Sequence, residues 1–375
     1  MSGAFLQGRE SMSVRPFFEQ DIPQVADLYW TVLRERKGPT PSAVHSFLHE
    51  LYFTNPWIDN SSPSLVYEEK GAIAGFLGVV PRRMSLRGES IRVAFGGNFV
   101  VQPQFRNTLA GLHLLRTYME GGQDISLTDS ANDVSRALLE RLGFTTILPF
   151  SVHWVRLLRP TRCLTYAMSR ITDSALFAAL DFVSRPFCNA ADGVAVRLSS
   201  SPLRHTASHL QAGELDVETL LSCLSEYRSG HSLWPEYDAH SLSWLLSFMD
   251  RMKGHGKDLR RVALRDDSGK IVGWYIYYRT PGNFGEVAQI GGAPHYLKSI
   301  LDHLFQDAWA HGAIALQGIV DRRLMDAFSD KYCFFTCRGG WMLAHSNKPD
   351  LLALLGSGDA FLSLLDGEWC LALGV

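Results

Sequence analysis

Val101-Gln102-Pro103 followed by Arg106-Asn107-Thr108-Leu109-Ala110-Gly111 sets a β-branched run, a proline stop and a polar turn before an apolar segment, Leu112-His113-Leu114-Leu115. A strand that stops at Pro103 and turns into a helix aims several backbone N–H groups, which lack intrahelical acceptors, at one spot. The helix dipole favours negative charge there, so the chemistry is anion binding and the expected ligand bears phosphate. Other chemistry-bearing pairings are weaker. His45 and His49 stand one helical turn apart beside Glu50, but no third ligand converges, so a solvated helix face is expected and no metal is assigned. Cys163, Cys188, Cys223, Cys333, Cys337 and Cys370 show no Cys-x-x-Cys spacing and read as buried, reduced thiols. Cys333 and Cys337, four apart, would share a helical face, without a second pair to complete a metal site. Trp234-Pro235-Glu236-Tyr237-Asp238 and Asp366-Gly367-Glu368-Trp369 join aromatics to carboxylates, a combination that suits a cationic or sugar-like ligand or plain rim packing.

The elements that must position the anion site alternate strand and helix. Val14 to Phe18 reads as a strand, and Asp21-Ile22-Pro23 opens a helix with Asp21 as N-cap and Val25, Leu28, Tyr29 and Val32 at helical spacing. A helix over 43–52 follows. Strands over 65–69, 73–80 and 91–101, separated by turns at Lys70-Gly71 and Arg87-Gly88-Glu89, are expected to pair antiparallel. The helix after Gly111 is expected to bury Leu112, Leu115 and Met119. A short strand then runs into Asn132, an N-cap, and a helix with Val134, Ala137, Leu138 and Leu142 inward stops at Gly143. Strands near Thr146-Ile147 and over 152–157 are expected to close this unit.

At 375 residues, with 46% hydrophobic residues, the chain is long enough for two cores, and a formal net charge of −2 leaves no electrostatic footprint for nucleic acid. No uncharged apolar run is long enough to span a bilayer, and the first ten residues lack a basic n-region and an apolar h-region, which points to the cytoplasm.

Residues 14 to 158 resemble the GNAT superfamily of acyl-CoA-dependent N-acyltransferases. The family's cofactor loop, Arg/Gln-x-x-Gly-x-Gly/Ala after a strand ending Val-x-Pro, is met by Val101-Gln102-Pro103, Arg106 and Gly111, with Leu109 where glycine is usual. Farther on, the family's Asn, small residue, helix and Leu-Gly-Phe ending are met by Asn132, Ser135 and Leu142-Gly143-Phe144. The resemblance implies that the strands ending at Val101 and near Asp129 splay apart. Acetyl-CoA or another acyl-CoA would sit in the gap, held by Arg106, Asn107, Thr108, Leu109, Ala110, Gly111, Asn132 and Ser135. It also implies that backbone N–H groups of Phe99, Val100 and Val101 polarise the thioester. A side chain at Leu109 could narrow the approach to backbone, and Leu139 stands where many members carry a tyrosine that protonates the thiolate.

The remainder resembles a second, degenerate GNAT unit: a strand from Val196 to Leu198, a helix over 217–227, a hairpin over 259–278, a strand over 286–290, a helix over 296–311 and a strand over 313–320. Gly291-Gly292-Ala293-Pro294-His295 lacks the arginine of the cofactor loop. The fold class expected is α/β with mixed sheets: a tail at 1–12, a GNAT domain at 13–158 with the CoA site, a helical linker at 159–195 and a degenerate GNAT-like domain at 196–375. The function implied is transfer of an acyl group, acetyl by preference, to an amine of a small-molecule or sugar-like acceptor by direct attack. Asn98 and Asp129 are the candidates for touching that acceptor, against the blander roles of satisfying a bulge and capping a turn. A non-catalytic acyl-CoA-binding regulatory or structural protein is the alternative, and a homo-oligomer stays open.

Overall fold

The structure, a computed structural model, describes residues 13–171, 175–198, 201, 203, 206, 208–228, 230–252, 258–280, 282–337 and 340–371; the tail at 1–12 lies outside the described residues. The chain divides into two compact units, residues 1–146 with 341–353, and residues 147–340 with 354–375.

In the first unit, β1 (Ser13–Pro16), α1 (Ile22–Leu28) and α2 (Ser42–Phe53) precede β2 (Leu65–Glu69), β3 (Ala72–Leu86) and β4 (Glu89–Val101). Then come α3 (Ala110–Met119), β5 (Ile125–Ala131), α4 (Asp133–Arg141) and β6 (Thr145–Thr146). The hairpin turns are those the sequence predicts: Lys70 and Gly71, and Arg87 and Gly88, all have positive φ, the conformation whose twist matches the flanking strands. Asp21 does not cap α1 with its side chain. Its buried carboxylate instead accepts from Arg15 at 2.6 and 2.9 Å and from the Phe18 amide at 2.9 Å.

In the second unit, β7 (His153–Leu157) is followed by α5 (Pro160–Ile171) and α6 (Ala175–Arg197), whose buried Asp192 accepts from the amides of Thr161 and Arg162 and so caps α5. The segment from Val196, expected as a strand, continues α6 to Arg197. β8 (Gln211–Glu214), α7 (Val217–Glu226), β9 (Leu233–Pro235), α8 (Ala239–Met252), β10 (Asp258–Arg265), β11 (Ile271–Arg279) and β12 (Phe284–Gly292) follow. α9 (Leu297–Ala310), β13 (Ala315–Ile319), α10 (Met325–Asp330) and β14 (Phe334–Thr336) complete it. Cys333 and Cys337 flank β14 and share no helix.

Each unit is built on a mixed sheet. The first runs β1-β2-β3-β4-β5-β15-β6, where β15 is Trp341–His345, and the second runs β14-β7-β13-β12-β11-β10-β8. Two strands therefore lie outside the sheet that chain order suggests. Residues 153–157, expected to close the first unit, pair with β13 and β14, while β15 pairs with β5 and β6. The first core also departs from the expected phase. In α3 the buried residues are Ala110, Leu114, Leu115 and Tyr118, with Leu112 and Met119 only half-buried; in α4 Leu139 is buried, whereas Val134 and Ala137 are exposed. The reason is the company these helices keep: Leu139 packs in one cluster with Tyr118, Phe144 and Leu343, the last contributed by β15. Among the described residues no helix is long and apolar enough to cross a membrane.

Burial lowers the pKa of His153 and His303 in the second unit, and burial together with the charge of Arg323 pushes His231 down to about 4. Below its usual value of 6.5 the unfolded state binds protons that the folded state refuses, so the stability these neutral rings contribute is complete above that pH and is lost as pH falls toward 4. Denaturant titrations from pH 7.5 to 4.5 are expected to show this decline, and His231→Phe is expected to flatten it.

Candidate functional site

The site of the first unit is a fork in its sheet. β4 and β5 are parallel and share only the pairs Val93–Ile125, Ala94–Ser126 and Phe95–Leu127. Beyond Phe95, β4 continues to Val101 against β3, while β5 continues to Ala131 against β15, so a gap opens between two strands whose outer edges remain satisfied. Alternate backbone amides along 96–101 face that gap, because successive peptide units of a strand point to opposite edges. The vertex is pinned by the buried Tyr118 hydroxyl, which lies 2.7 Å from the Ala94 carbonyl oxygen and 2.8 Å from that of Leu127, one on each strand. Gly96 is glycine because a Cβ there would sit 2.9 Å from the Tyr118 ring. Open carboxyl ends of adjacent parallel strands are where α/β sheets accept ligands.

Both strands lead into helix N-termini at the mouth of this gap. After β4, residues 102–109 include a 3-10 turn at Pro103–Phe105, and α3 begins at Ala110. Thr108 Oγ accepts from the Ala110 amide at 3.2 Å, which leaves the Gly111 and Leu112 amides of the first turn without helical acceptors. Arg106 Nε donates to the Val101 carbonyl at 3.4 Å, and the exposed Asn107 and Thr108 rim the turn. Leu109, which stands at the usual glycine position, has φ −80° and ψ 2°, a conformation that does not require glycine, and its side chain is 59% exposed. The loop backbone therefore keeps its shape with leucine there. Gly111 allows close packing, since a Cβ would meet Phe99 at 3.2 Å. After β5, Asn132 caps α4 by accepting from the Ser135 amide at 2.8 Å, and Gly143 ends the helix at φ 101°.

The fork thus brings Phe99, Val100, Val101, Arg106 to Gly111, Asn132 and Ser135 to two neighbouring strand ends and the turns that follow them. Asn98 and Asp129 occupy matching irregularities on the two diverging strands. Phe76 pairs with Val100 and Gly78 with Gly97, so Leu77 alone faces Asn98 and Phe99, a β-bulge in which Asn98 has φ +48°. Trp341 pairs with Ala131 and Leu343 with Thr128, so β5 carries one extra residue within Asp129-Ser130. Asp129 is a buried strand residue, and the Asn132 side chain is what caps the helix beyond it. Sequence reading missed two groups, Tyr118 at the vertex and Tyr52, whose hydroxyl accepts from Asn98 Nδ2 at 2.8 Å. Both contacts join residues distant in sequence, so no local pattern signals them. Leu139 lies in the core beside Tyr118 and Phe144. His45, His49 and Glu50 line an open surface groove, and among the described residues no cluster of His, Cys, Asp or Glu could hold a metal.

The second unit repeats the fork but fills it. β12 and β13 pair in parallel from Phe284–Ala315 to Val287–Gly318 and then part. Phe361–Leu365 occupies the space: the Leu365 amide donates to the Ala288 carbonyl at 3.2 Å and Gln289 Nε2 to Ser363 Oγ at 3.1 Å. A residual cavity of about 30 Å³ remains, lined by Gln289, Asp321 and Phe361 among others, room for roughly one water molecule. A 3-10 turn at Pro294–Tyr296 leads straight into α9, whereas residues 106–109 extend the corresponding turn at Pro103–Phe105 before α3 begins. The two aromatic–carboxylate motifs meet here: Tyr237 donates to Asp366 at 2.5 Å and Trp234 stacks on Phe361 at 4.2 Å. Of the rest, Trp369 packs edge-on against Tyr278 and Asp238 accepts from the Ser241 amide.

A family model for the GNAT acetyltransferases matches residues 22–144. No curated protein matches the sequence. Among solved structures, a protein from Enterococcus faecalis described as a probable N-acyltransferase superposes with TM-score 0.59 at 10% identity, covering 90% of this chain and 72% of its own. A GCN5-related N-acetyltransferase from Anabaena variabilis gives 0.57 at 10% identity, over 90% of this chain and 74% of that one. The N-myristoyltransferase of Saccharomyces cerevisiae, solved with myristoyl-CoA, gives 0.54 at 11% identity, over 92% and 81%. At these identities the likeness is one of fold.

Proposed function

We propose that the fork of the first unit, which lies within the residues 22–144 matched by the GNAT acetyltransferase family model, binds one acyl-CoA and transfers its acyl group to an amine of a small-molecule or sugar-like acceptor. The observation that carries this reading is the open gap between β4 and β5 with an uncommitted helix N-terminus at its mouth, in contrast to the filled gap between β12 and β13. In this reading Arg106, Asn107, Thr108 and the amides of Leu109 and Gly111 take the pyrophosphate, the Ala110 amide being held by Thr108 Oγ, with Asn132 and Ser135 on the opposite bank. Amides of the bulged segment on the gap-facing phase, those of Phe99 and Val101, polarise the thioester, that of Val100 pointing to β3, and Asn98 and Asp129 face the acceptor.

Direct attack by the neutral amine suits this site. Ser126, the buried serine of β5, has its hydroxyl engaged by Gln123 Nε2 at 2.8 Å, and Cys163 and Cys223 are held well above the usual thiol range by burial, the latter at about 11. A covalent acyl-enzyme needs an activated nucleophile instead. Initial velocities with acetyl-CoA and an amine panel are expected to give intersecting lines, with a rate that follows the free-base fraction of the amine. Parallel lines, or an acylated peptide recovered from enzyme and acetyl-CoA alone, would contradict direct attack. Binding of acyl-CoA without turnover across the panel would support the alternative of a binding or regulatory protein.

A further inference from the structure

The bulge in β4 is held in a conformation that its own sequence does not favour. Asn98 at φ +48° lies in the left-handed region, which asparagine tolerates better than most residues but still at a cost, and such residues persist only where the surroundings over-determine them. The determinant here comes from α2. The Tyr52 hydroxyl accepts from Asn98 Nδ2 at 2.8 Å, and it reaches the sheet only because position 78 is glycine: a Cβ on Gly78 would lie 1.9 Å from that oxygen. The ring is 8% exposed and is gripped edge-on by Phe17 at 6.0 Å and Phe76 at 5.4 Å. An aromatic rod thus runs from the helix and ends on the side chain of the residue that makes the bulge.

We propose that Tyr52 is a positioning residue for acyl transfer: by holding Asn98 it fixes the bulge amides that face the thioester carbonyl, and Gly78 is the gap through which it does so. The inference rests on the function proposed above. The bulge meets the acyl end of the ligand and the turn at 106–111 meets its phosphates, so loss of the Tyr52 hydroxyl is expected to act on one and spare the other. It is also expected to be redundant once residue 98 no longer needs restraint, because glycine adopts positive φ without strain.

The test compares acetyl-CoA and free CoA by calorimetry for the full chain, Tyr52→Phe, Gly78→Ala, Asn98→Gly and the Tyr52→Phe/Asn98→Gly double variant. Tyr52→Phe is expected to reduce the preference for acetyl-CoA over CoA about fivefold, the scale of one hydrogen bond, with CoA affinity within about twofold of wild type. Gly78→Ala should reproduce this by displacing the same hydroxyl. In the Asn98→Gly background Tyr52→Phe should change the preference no further, a coupling that a merely structural tyrosine does not produce. An unchanged preference in Tyr52→Phe, or an equal loss with and without Asn98→Gly, overturns the positioning role while leaving acyl-CoA binding intact. Failure of the wild-type chain to bind either ligand overturns the proposed function and this inference with it.

Discussion

Leu109→Asp is expected to weaken acetyl-CoA binding about ten- to a hundredfold while leaving the melting temperature unchanged or slightly raised. The two effects have opposite signs for one reason. Leu109 precedes the first turn of α3 and is 59% exposed, so an aspartate there faces water and complements the positive end of the helix dipole, a stabilising placement. The same charge would stand beside the site assigned to the pyrophosphate. Two unit charges about 5 Å apart interact by about 3 kcal/mol at an effective dielectric of about 20, less where solvent and salt screen them, which sets the expected range. Leu109→Gly should bind at least as tightly as wild type, since the backbone already has the shape required. Calorimetry and thermal melts on the same preparations check both signs; a variant that melts lower and binds equally well would remove the anion site from this turn.

Asp366→Ala is expected to cost about 3 kcal/mol of stability, the scale for removing one member of a buried, hydrogen-bonded charged network. The Asp366 carboxylate is 3% exposed and accepts from the Ser363 amide at 2.7 Å, from Ser363 Oγ at 2.6 Å and from Tyr237 at 2.5 Å. Ser363 in turn accepts from Gln289, whose carbonyl oxygen accepts from Trp274 Nε1 at 2.9 Å, so the network ties the segment in the second fork to β11 and β12. For a unit of this size the loss corresponds to a fall in Tm of roughly 6–12 °C. Acetyl-CoA affinity at a temperature where the variant is folded should be unchanged. Gly291 and Gly292 are unsuited to this comparison, because a Cβ at Gly291 would lie 2.2 Å from the Trp274 ring and one at Gly292 2.5 Å from the Val272 carbonyl oxygen.

What could be read from the sequence is what local chemistry decides. Lys70-Gly71 and Arg87-Gly88 announce their turns through residues that accept positive φ, Asn132 announces a cap, and Gly143 a stop. The proline and polar turn before Ala110 likewise mark a strand running into a helix N-terminus, and that is where the structure puts one. What could not be read depends on partners far along the chain. Residues 153–157 and 341–345 both look like edge-compatible strands, and nothing in either segment says which sheet it joins. Exposure of Val134 and burial of Leu139 follow from the same fact, since the core behind α4 includes Leu343. Tyr52 and Tyr118 carry ordinary helical spacing and read as core residues. Their hydroxyls acquire a role only when β3, β4 and β5 come to lie beneath them. Phe361–Leu365 looks like a plain apolar run, and its place in the second fork emerges only from tertiary pairing.

The central claim, one acyl-CoA site per chain in the fork of the first unit, is tested most directly by native mass spectrometry of the full chain titrated with acetyl-CoA. Wild type and Asp366→Ala should each saturate at one adduct, and Leu109→Asp should show a strongly reduced adduct at the lowest concentration that saturates wild type. Two adducts on wild type, or one adduct retained undiminished by Leu109→Asp, would contradict it.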